Sequence, residues 1–440
     1  MRKQKIPRGA KKRAVRRETA AGGRSGRPSA AAVSPAGATI PSGKVSLFSP
    51  KATVKRVRKK FKVFSVRGGV DRVFLYILLS LLVFGLVMLF SASFATSYFN
   101  SEDGNSYSYI VPQMCFAALG CVLMLVISYF DYHHLHKFAF LVLLITIAML
   151  LAVLLLRGTA LVPRINGTYR WLYLGPINFQ PSEIAKFALV LIFAHLISIN
   201  YDKMETFRYG VLPYVLILGL IAGLVVMEPH ISAAIILVAI SGVMLFVGGV
   251  RLRWFFVALV ALAGAAAYLY FFTDMFSYAE LRIQGWLDPF NPPEGVDTWQ
   301  TRQSLMAIGS GQLLGVGLAQ SRQKYLYLPE PENDFIFAVV CEELGFVGAL
   351  LVILLFALLI WRGIVISLGA KDKFGTLLGI GLTAQVGIQA ILNICVVTNT
   401  IPNTGISLPF FSYGGTSLVM LLAQMGVVLS ISRTSNVDKV

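Results

Sequence analysis

The long apolar runs of this chain constrain its fold more than any other feature. They measure roughly 17 to 25 residues, and an α-helix needs about 20 apolar residues to cross the hydrocarbon core of a bilayer. A hydrophobic fraction of 56% with only 14% charged residues leaves too little charge for a soluble enzyme of this length. The fold class we predict is an all-α polytopic membrane protein.

The runs predict ten transmembrane helices, with spans at about 73–93, 109–130, 138–156, 184–199, 211–227, 231–249, 254–272, 335–361, 375–398 and 411–432. Both chain ends then lie on the same side of the membrane. That side also receives basic residues that the positive-inside rule assigns to the cytoplasm: Arg251, Arg253, Arg362, Lys371 and Lys373. We therefore expect both termini in the cytoplasm and a large extracytoplasmic loop, 273–334, between helices 7 and 8.

Three parts of the chain differ in composition. Residues 1–70 contain 20 Lys and Arg against one acid, Glu18, and are predicted to form a disordered basic cytoplasmic tail that attracts anionic membrane lipids. Aromatic residues are not interspersed among these basic residues, and no nucleic-acid-binding fold is predicted here. Both observations argue against nucleic acid as a partner. Residues 71–432 form the predicted ten-helix membrane domain, and residues 433–440 a short cytoplasmic tail.

The polar loop 273–334 is where we expect the chemistry, because ordering such a long loop costs entropy that no large core repays. Its glycines resemble a dinucleotide-binding pattern, but no predicted strand precedes them, and close backbone packing is the favoured interpretation; they are Gly309, Gly311, Gly315 and Gly317. The four cysteines lie in apolar runs without ligand-like spacing, so neither a disulfide framework nor a metal site can be read from the sequence.

A helix start is predicted at the run QPSE, residues 180–183, with Pro181 as the first helical residue. Lys186 then lies near the helix N-terminus, where the helix dipole disfavours a cation and an anionic partner is expected. Glu183 is one candidate partner. A ligand phosphate, which Arg170 would also contact, is the other, and the sequence leaves both open.

Five motifs occur in a specific order along the chain. They are Asn166-Gly167 with Arg170-Trp171 and Gly175, the run QPSE-IAK at 180–186, Gln303-Ser304 with AIGSGQLLGVGL, NDFIFAVVCEELG from Asn333 to Gly345, and PNTGISLPFFSYGGTSL from Pro402 to Leu418. Together they resemble the SEDS family of cell-wall proteins, which includes FtsW, RodA and SpoVE. The resemblance covers about residues 70–432. The sequence FFSYGGT, together with the long basic tail, favours the cell-division branch, FtsW.

The resemblance implies a peptidoglycan glycosyltransferase that polymerises lipid II during cell division, with undecaprenyl diphosphate as leaving group. Asp334 matches the presumed catalytic aspartate of the family and is the candidate general base, although an Asp before an apolar helix is also a good N-cap. Arg170 and Lys186 match family cations and are predicted to contact the diphosphate. The other predicted substrate-binding residues are Gln303, Ser304, Glu343 and Ser412. Glu343 lies inside an apolar helix, so we expect it to face a cavity or a cation.

The implied partners are lipid II, a class B penicillin-binding protein transpeptidase and other division proteins, and the implied location is the bacterial plasma membrane at the division septum. The sequence leaves a divalent cation requirement open. One departure concerns the usual Gln-Pro-Asp-x-Gly run of the family. Here residues 228–232 read EPHIS, so His230 replaces the usual aspartate. Glu228 could replace its charge, and the role of this outer hairpin stays open.

The sequence is also compatible with three other functions. A ten-helix protein with charged groups at the membrane interface would also suit a lipid II flippase, although a transporter usually carries more polar groups at mid-membrane. A RodA-type or SpoVE-type polymerase of elongation or sporulation is the second, and a non-enzymatic scaffold for division proteins is the third. Polymerisation is the function that we expect.

Overall fold

The computed structural model describes residues 68–272 and 283–435, apart from residues 102, 166, 167 and 176. The chain divides into two compact units, Met1–Lys60 and Phe61–Val440, and every described residue belongs to the second. The predicted basic tail, up to residue 67, lies outside the described residues, as do residues 273–282 of the predicted loop and the chain end 436–440.

Long α-helices make up most of the described chain. In chain order they are α1 (Arg72–Asn100), α2 (Ile110–Tyr129), α3 (His133–Leu155), α4 (Pro181–Ile199), α5 (Leu212–Met227), α6 (Ile231–Val247), α7 (Leu252–Phe272), α8 (Trp299–Gly311), α9 (Ile336–Leu368), α10 (Lys373–Val397) and α11 (Gly415–Thr434). Two short strands, β1 (Leu172–Leu174) and β2 (Ile177–Phe179), form an antiparallel hairpin in which Tyr173 is opposite Asn178.

Within the described residues, eight helices are long and apolar enough to cross a membrane. The places of the predicted sixth and seventh spans are occupied by α6, which has 17 residues, and by α7, whose apolar part is described over Leu252–Ala261. The prediction of an all-α polytopic membrane protein is therefore confirmed, and the predicted total of ten spans depends on these two helices. The predicted start of α4 at Pro181 is also found.

The most buried membrane helices are α4, α10 and α11. Of the 18-residue apolar segment of each helix, 61%, 67% and 67% of the residues are buried in the protein, against 22% in α3. Helix α1 ends at Asn100, beyond the end near residue 93 that the apolar run predicted. Ser91 and Ser97 lie on its buried side, and Ser97 donates a hydrogen bond to the carbonyl of Asn105 at 2.7 Å. The part of this helix beyond its apolar run therefore contacts protein.

The helix α9 is broken at Gly345, whose φ of 64° is accessible to glycine without the steric cost that a side chain would carry. Residues 311–317, which comprise the last residue of α8 and the loop after it, pack against this break. The Val316 amide donates to the Glu342 carbonyl at 3.0 Å, and a Cβ on Gly315 would lie 2.1 Å from a backbone oxygen of α9. The predicted close backbone packing of the glycine run is confirmed at Gly315.

Candidate functional site

A cavity of about 580 Å³ lies at the end of the helix bundle where α4, α6, α9 and α11 begin. Its charged lining comes from separate parts of the chain: Arg170 before β1, Glu183 and Lys186 of α4, and Glu330 and Asp334 before α9. The structure thus brings together Arg170, Lys186 and Asp334, three residues that the sequence analysis singled out. Ser412 also lines this cavity, which we call the Asp334 cavity.

Asp334 lies two residues before α9, with its side chain partly open to the cavity. Burial raises the pKa of its carboxyl group from 3.8 to about 6, the nearby charge of Glu330 adds to this increase, and Arg170 opposes it. The N-cap of α9 is Phe335, with no side-chain capping hydrogen bond. The alternative role of Asp334 as an N-cap therefore has no support in this geometry.

The backbone around Asp334 is held by hydrogen bonds from α10 and from the segment before α11. The Asn393 side-chain amide donates to the Asp334 carbonyl at 2.8 Å and to the Ile406 carbonyl at 2.6 Å. Ser412 donates its hydroxyl to the Asn333 carbonyl at 2.6 Å. These contacts fix the carboxylate at the cavity wall. Ser412 positions Asp334 indirectly, through the backbone of the preceding residue, Asn333.

Glycine is required close to the carboxylate. Gly405 has a φ of +64°, and a Cβ at this position would lie 3.1 Å from the Asp334 Oδ2 atom. A larger residue would therefore be strained and would also crowd the carboxylate. This contact gives a physical reason for the glycine in the run PNTG at 402–405.

Arg170 connects the segment before β1 to the hairpin between α5 and α6. Its Nη2 donates a hydrogen bond to the Pro229 carbonyl, and its Nε is buried without a partner in the described part of the chain. Burial lowers the pKa of the guanidinium group, an effect that the carboxyl groups of Asp334 and Glu228 oppose. An arginine that lines the cavity and is held there by the Pro229 carbonyl is suited to contact an additional anionic partner.

Glu228 is the residue of this hairpin that could replace the charge of the usual aspartate. Its side chain is fully buried, and neither carboxyl oxygen has a hydrogen-bond partner within the described residues. Burial raises the pKa of Glu228 to about 8, although Arg157 and Arg170 oppose the increase. Burial therefore favours the protonated form of Glu228, and nothing in this geometry supports it as a substitute for the charge of the usual aspartate.

Lys186 has the anionic partner that its position near a helix N-terminus requires. Its Nζ lies 2.8 Å from Glu183 Oε1, and it donates to Gln389 Oε1 at 3.0 Å. The side chain is only 2% exposed, yet it forms part of the cavity wall. Of the two alternatives left open by the sequence, the structure shows the Glu183 pair, and the predicted diphosphate contact stays a prediction.

Apolar side chains line the cavity one or two turns inside the membrane helices. They come from α2, α6 and α11 and comprise Phe116, Ala233, Ile236, Leu418 and Leu421. The cavity therefore combines polar groups, which include Lys186 and Gln389 of the helices, with an apolar wall inside the bundle. This distribution suits an amphiphilic ligand with an anionic head and a hydrocarbon tail.

Three predicted substrate-binding residues do not line the Asp334 cavity. Gln303 and Ser304 are buried in α8, where the Ser304 hydroxyl donates to the Val397 carbonyl at 2.8 Å. Glu343 pairs with Lys324 at 2.9 Å, as expected for a carboxylate that needs a cation. Their role in substrate binding stays a prediction without a cavity contact to support it.

Four cavity-wall or supporting residues were missed by the sequence analysis as site residues: His230, Glu330, Gln389 and Asn393. The two amides carried a usable signal, because polar side chains inside the apolar run of α10 are costly unless they contact protein groups or a cavity. His230 and Glu330 lie in loops, where polarity alone does not distinguish a site residue.

Within the described residues, no group of three or more His, Cys, Asp or Glu side chains is placed to hold a metal ion.

The fold is that of a polytopic helical membrane protein, with a cavity lined by both charged and apolar side chains. A family model described as Cell cycle protein (FTSW_RODA_SPOVE) matches residues 71–437. The chain belongs to this family, which is the SEDS family indicated by the sequence motifs.

Similar proteins and structures agree with this membership. Stage V sporulation protein E of Bacillus subtilis is 39% identical over 369 residues, which span 83% of this chain and 97% of that protein. A protein named probable peptidoglycan glycosyltransferase FtsW, from a Geobacter species, is 37% identical over 367 residues, with 83% and 97% coverage.

Among solved structures, a chain described under "structural coordination of polymerization and crosslinking by a peptidoglycan synthase complex" matches with a TM-score of 0.67 and 26% identity, covering 84% of this chain and 99% of that chain. The rod shape determining protein RodA of Thermus thermophilus matches with a TM-score of 0.60 and 25% identity, covering 84% and 98%.

Proposed function

We propose that this protein is a peptidoglycan glycosyltransferase that polymerises lipid II during cell division. The observation that carries the proposal is the Asp334 cavity, in which a carboxyl group with a raised pKa lies in the same wall as two cations. Relatives named probable peptidoglycan glycosyltransferase FtsW support the reaction class. The sequence FFSYGGT supports the cell-division branch of the family.

The proposed reaction joins two lipid-linked disaccharides. The 4-hydroxyl of one attacks the anomeric carbon of the other, the bond to the diphosphate oxygen breaks, and the configuration inverts. Asp334 takes the hydroxyl proton, and a pKa of about 6 leaves it ionised at neutral pH and more basic than an ordinary aspartate. Arg170 and Lys186 stabilise the negative charge on the departing undecaprenyl diphosphate. The apolar wall accommodates the hydrocarbon tail.

Lipid II transport is the alternative that most needs a test. Purified protein in liposomes with labelled lipid II separates the two activities, because polymer length and lipid movement are measured in the same vesicles. We expect glycan polymer in these vesicles. Movement of intact lipid II across the bilayer with no polymer, in the presence of a partner transpeptidase, would replace the proposed function by a flippase.

Replacing Lys186 by Met should weaken lipid II binding by about ten- to hundredfold, because a charge-assisted contact to phosphate contributes about 1.5–3 kcal/mol. Equilibrium binding of lipid II to the purified variant measures this loss. The double variant Lys186→Met/Glu183→Gln is the matched control, since it leaves no unpaired carboxylate. Recovery of parental affinity by the double variant would show that Lys186 only neutralises Glu183.

Replacing Glu330 by Gln should move the acid limb of the pH–activity profile to lower pH. The negative charge of Glu330 raises the pKa of Asp334, so its removal lowers that pKa and leaves the base ionised in more acidic solution. Initial polymerisation rates between about pH 5 and pH 8 measure the shift. An unchanged limb would mean that Glu330 does not act on the group that controls the rate.

Both termini are proposed to lie in the cytoplasm, with the 273–334 loop outside. A cysteine placed at the exposed Glu294, in a background without native cysteines, should react with a membrane-impermeant reagent in intact cells. A cysteine at Lys371, exposed in the connection between α9 and α10, should react only after lysis. The reverse result would overturn the arrangement.

The partners follow from the proposed reaction. Glycan strands need crosslinking, and the similar structure described as a peptidoglycan synthase complex couples polymerization to crosslinking. We therefore propose a class B penicillin-binding protein transpeptidase as the partner, with other division proteins at the septum and anionic lipids near the basic tail 1–70.

A further inference from the structure

His230 is a polar residue of the Asp334 cavity to which the proposed mechanism gives no role. It lies just before α6, but its ring does not cap that helix. The Nδ1 atom lies 3.1 Å from the hydroxyl oxygen of Ser182, in the first turn of α4. His230 therefore joins the beginnings of α4 and α6 with its ring at the cavity wall.

The Ser182 contact selects one tautomer of the imidazole. Ser182 is fully buried, and its hydroxyl has no other hydrogen-bond partner in the described part of the chain. A buried hydroxyl that donates to nothing is costly, so its proton goes to Nδ1, which must then be unprotonated. The ring proton is left on Nε2, and Nε2 has no protein partner among the described residues.

The surrounding charges keep this ring neutral and favour an anionic ligand. Burial lowers the pKa of His230 to about 3, and the positive charges of Arg170 and Lys186 act in the same direction. A carboxylate at this position would compete with a ligand for the two cations. A neutral imidazole leaves their charges available and adds one N–H donor beside them.

We infer that His230 is an anion-binding residue of the Asp334 cavity, whose Nε2–H donates a hydrogen bond to the diphosphate of a lipid-linked ligand. Arg170 and Lys186 contact the same group. The identification of the anion as a diphosphate rests on the proposed function. The geometry itself favours an anionic acceptor with several oxygen atoms, because three donor residues from separate segments line one cavity.

The test is equilibrium binding of undecaprenyl diphosphate to the purified full-length protein, with undecaprenol as the probe that lacks phosphate. His230→Phe keeps an aromatic ring without the donor and should weaken diphosphate binding about tenfold, the usual contribution of a hydrogen bond to a charged group. His230→Gln keeps an N–H donor and should retain most of the affinity. Undecaprenol binding should be the same in all variants.

Parental diphosphate affinity in a folded His230→Phe variant would overturn the inference, as would an equal loss for both probes, which indicates altered packing. If His230→Phe does not fold, Ser182→Ala and Ser182→Thr decide. Ser182→Ala removes the hydroxyl that keeps the ring proton on Nε2 of His230, so it should weaken diphosphate binding. Ser182→Thr keeps a hydroxyl and should preserve the parental affinity. Equal diphosphate affinities of the two variants would contradict the inference. A parent protein that binds the diphosphate but makes no polymer would reject the proposed function and leave the His230 site standing.

Discussion

Replacing Asp334 by Asn should reduce glycan polymerisation by about 10²–10⁴-fold, the usual contribution of a positioned general acid or base, while lipid II still binds. Asn has nearly the shape of Asp but cannot take the proton of the attacking hydroxyl. The Asp334 carbonyl, which anchors the segment to Asn393, is unchanged by the substitution. Polymer yield from labelled lipid II and lipid II affinity are the two measurements.

Glu332 provides a matched control for this variant. It is a buried carboxylate in the same segment, accepts a hydrogen bond from Thr96 at 3.3 Å and does not line the Asp334 cavity. Glu332→Gln should therefore keep most of the polymerase activity. Near-parental activity of Asp334→Asn would remove Asp334 from the mechanism, and equal inactivity of both variants would show that any neutral substitution here disrupts the segment.

Replacing Lys324 by Met should destabilise the protein by about 3–5 kcal/mol, because it leaves the buried Glu343 carboxylate without its cation. The Lys324 and Glu343 side chains are 2% and 0% exposed, and their charged atoms lie 2.9 Å apart. Glu343 also accepts hydrogen bonds from Ser91 at 2.7 Å and from the Ala319 amide at 3.0 Å. The pair thus ties the loop after α8 to α1 and α9.

Denaturant or thermal unfolding of the purified protein in detergent measures the effect. The double variant Lys324→Met/Glu343→Gln is the control, since replacing both members of a buried pair costs much less than removing one. We expect it to recover most of the lost stability. An unfolding free energy of Lys324→Met equal to that of the parent would mean that the pair does not hold the loop.

The membrane helices could be predicted from sequence because the length and hydrophobicity of each apolar run are enough to indicate a membrane span. The break in α9 could not, since the apolar run continues through Gly345 and the residues that pack against the break come from 311–317. The β1–β2 hairpin was missed for a related reason. Its three-residue strands are too short to produce a period in the sequence.

The candidate site was predicted in part. Motif resemblance singled out Arg170, Lys186 and Asp334, and the fold places them around one cavity. Sequence alone could not show that Glu343 is paired with Lys324 outside that cavity, because the partner lies in a loop whose path only the fold defines. Nor could it show that His230 lies beside two cations, since that depends on how α4 and α6 begin next to each other.

Synthesis of glycan strands by the purified full-length protein tests whether this protein is the polymerase. The protein is mixed with labelled lipid II and a class B penicillin-binding protein whose transpeptidase site is blocked, and the products are separated by length. We expect a ladder of glycan strands that requires this protein and is lost with Asp334→Asn. Unconverted lipid II in the presence of folded parent protein and partner would contradict this expectation.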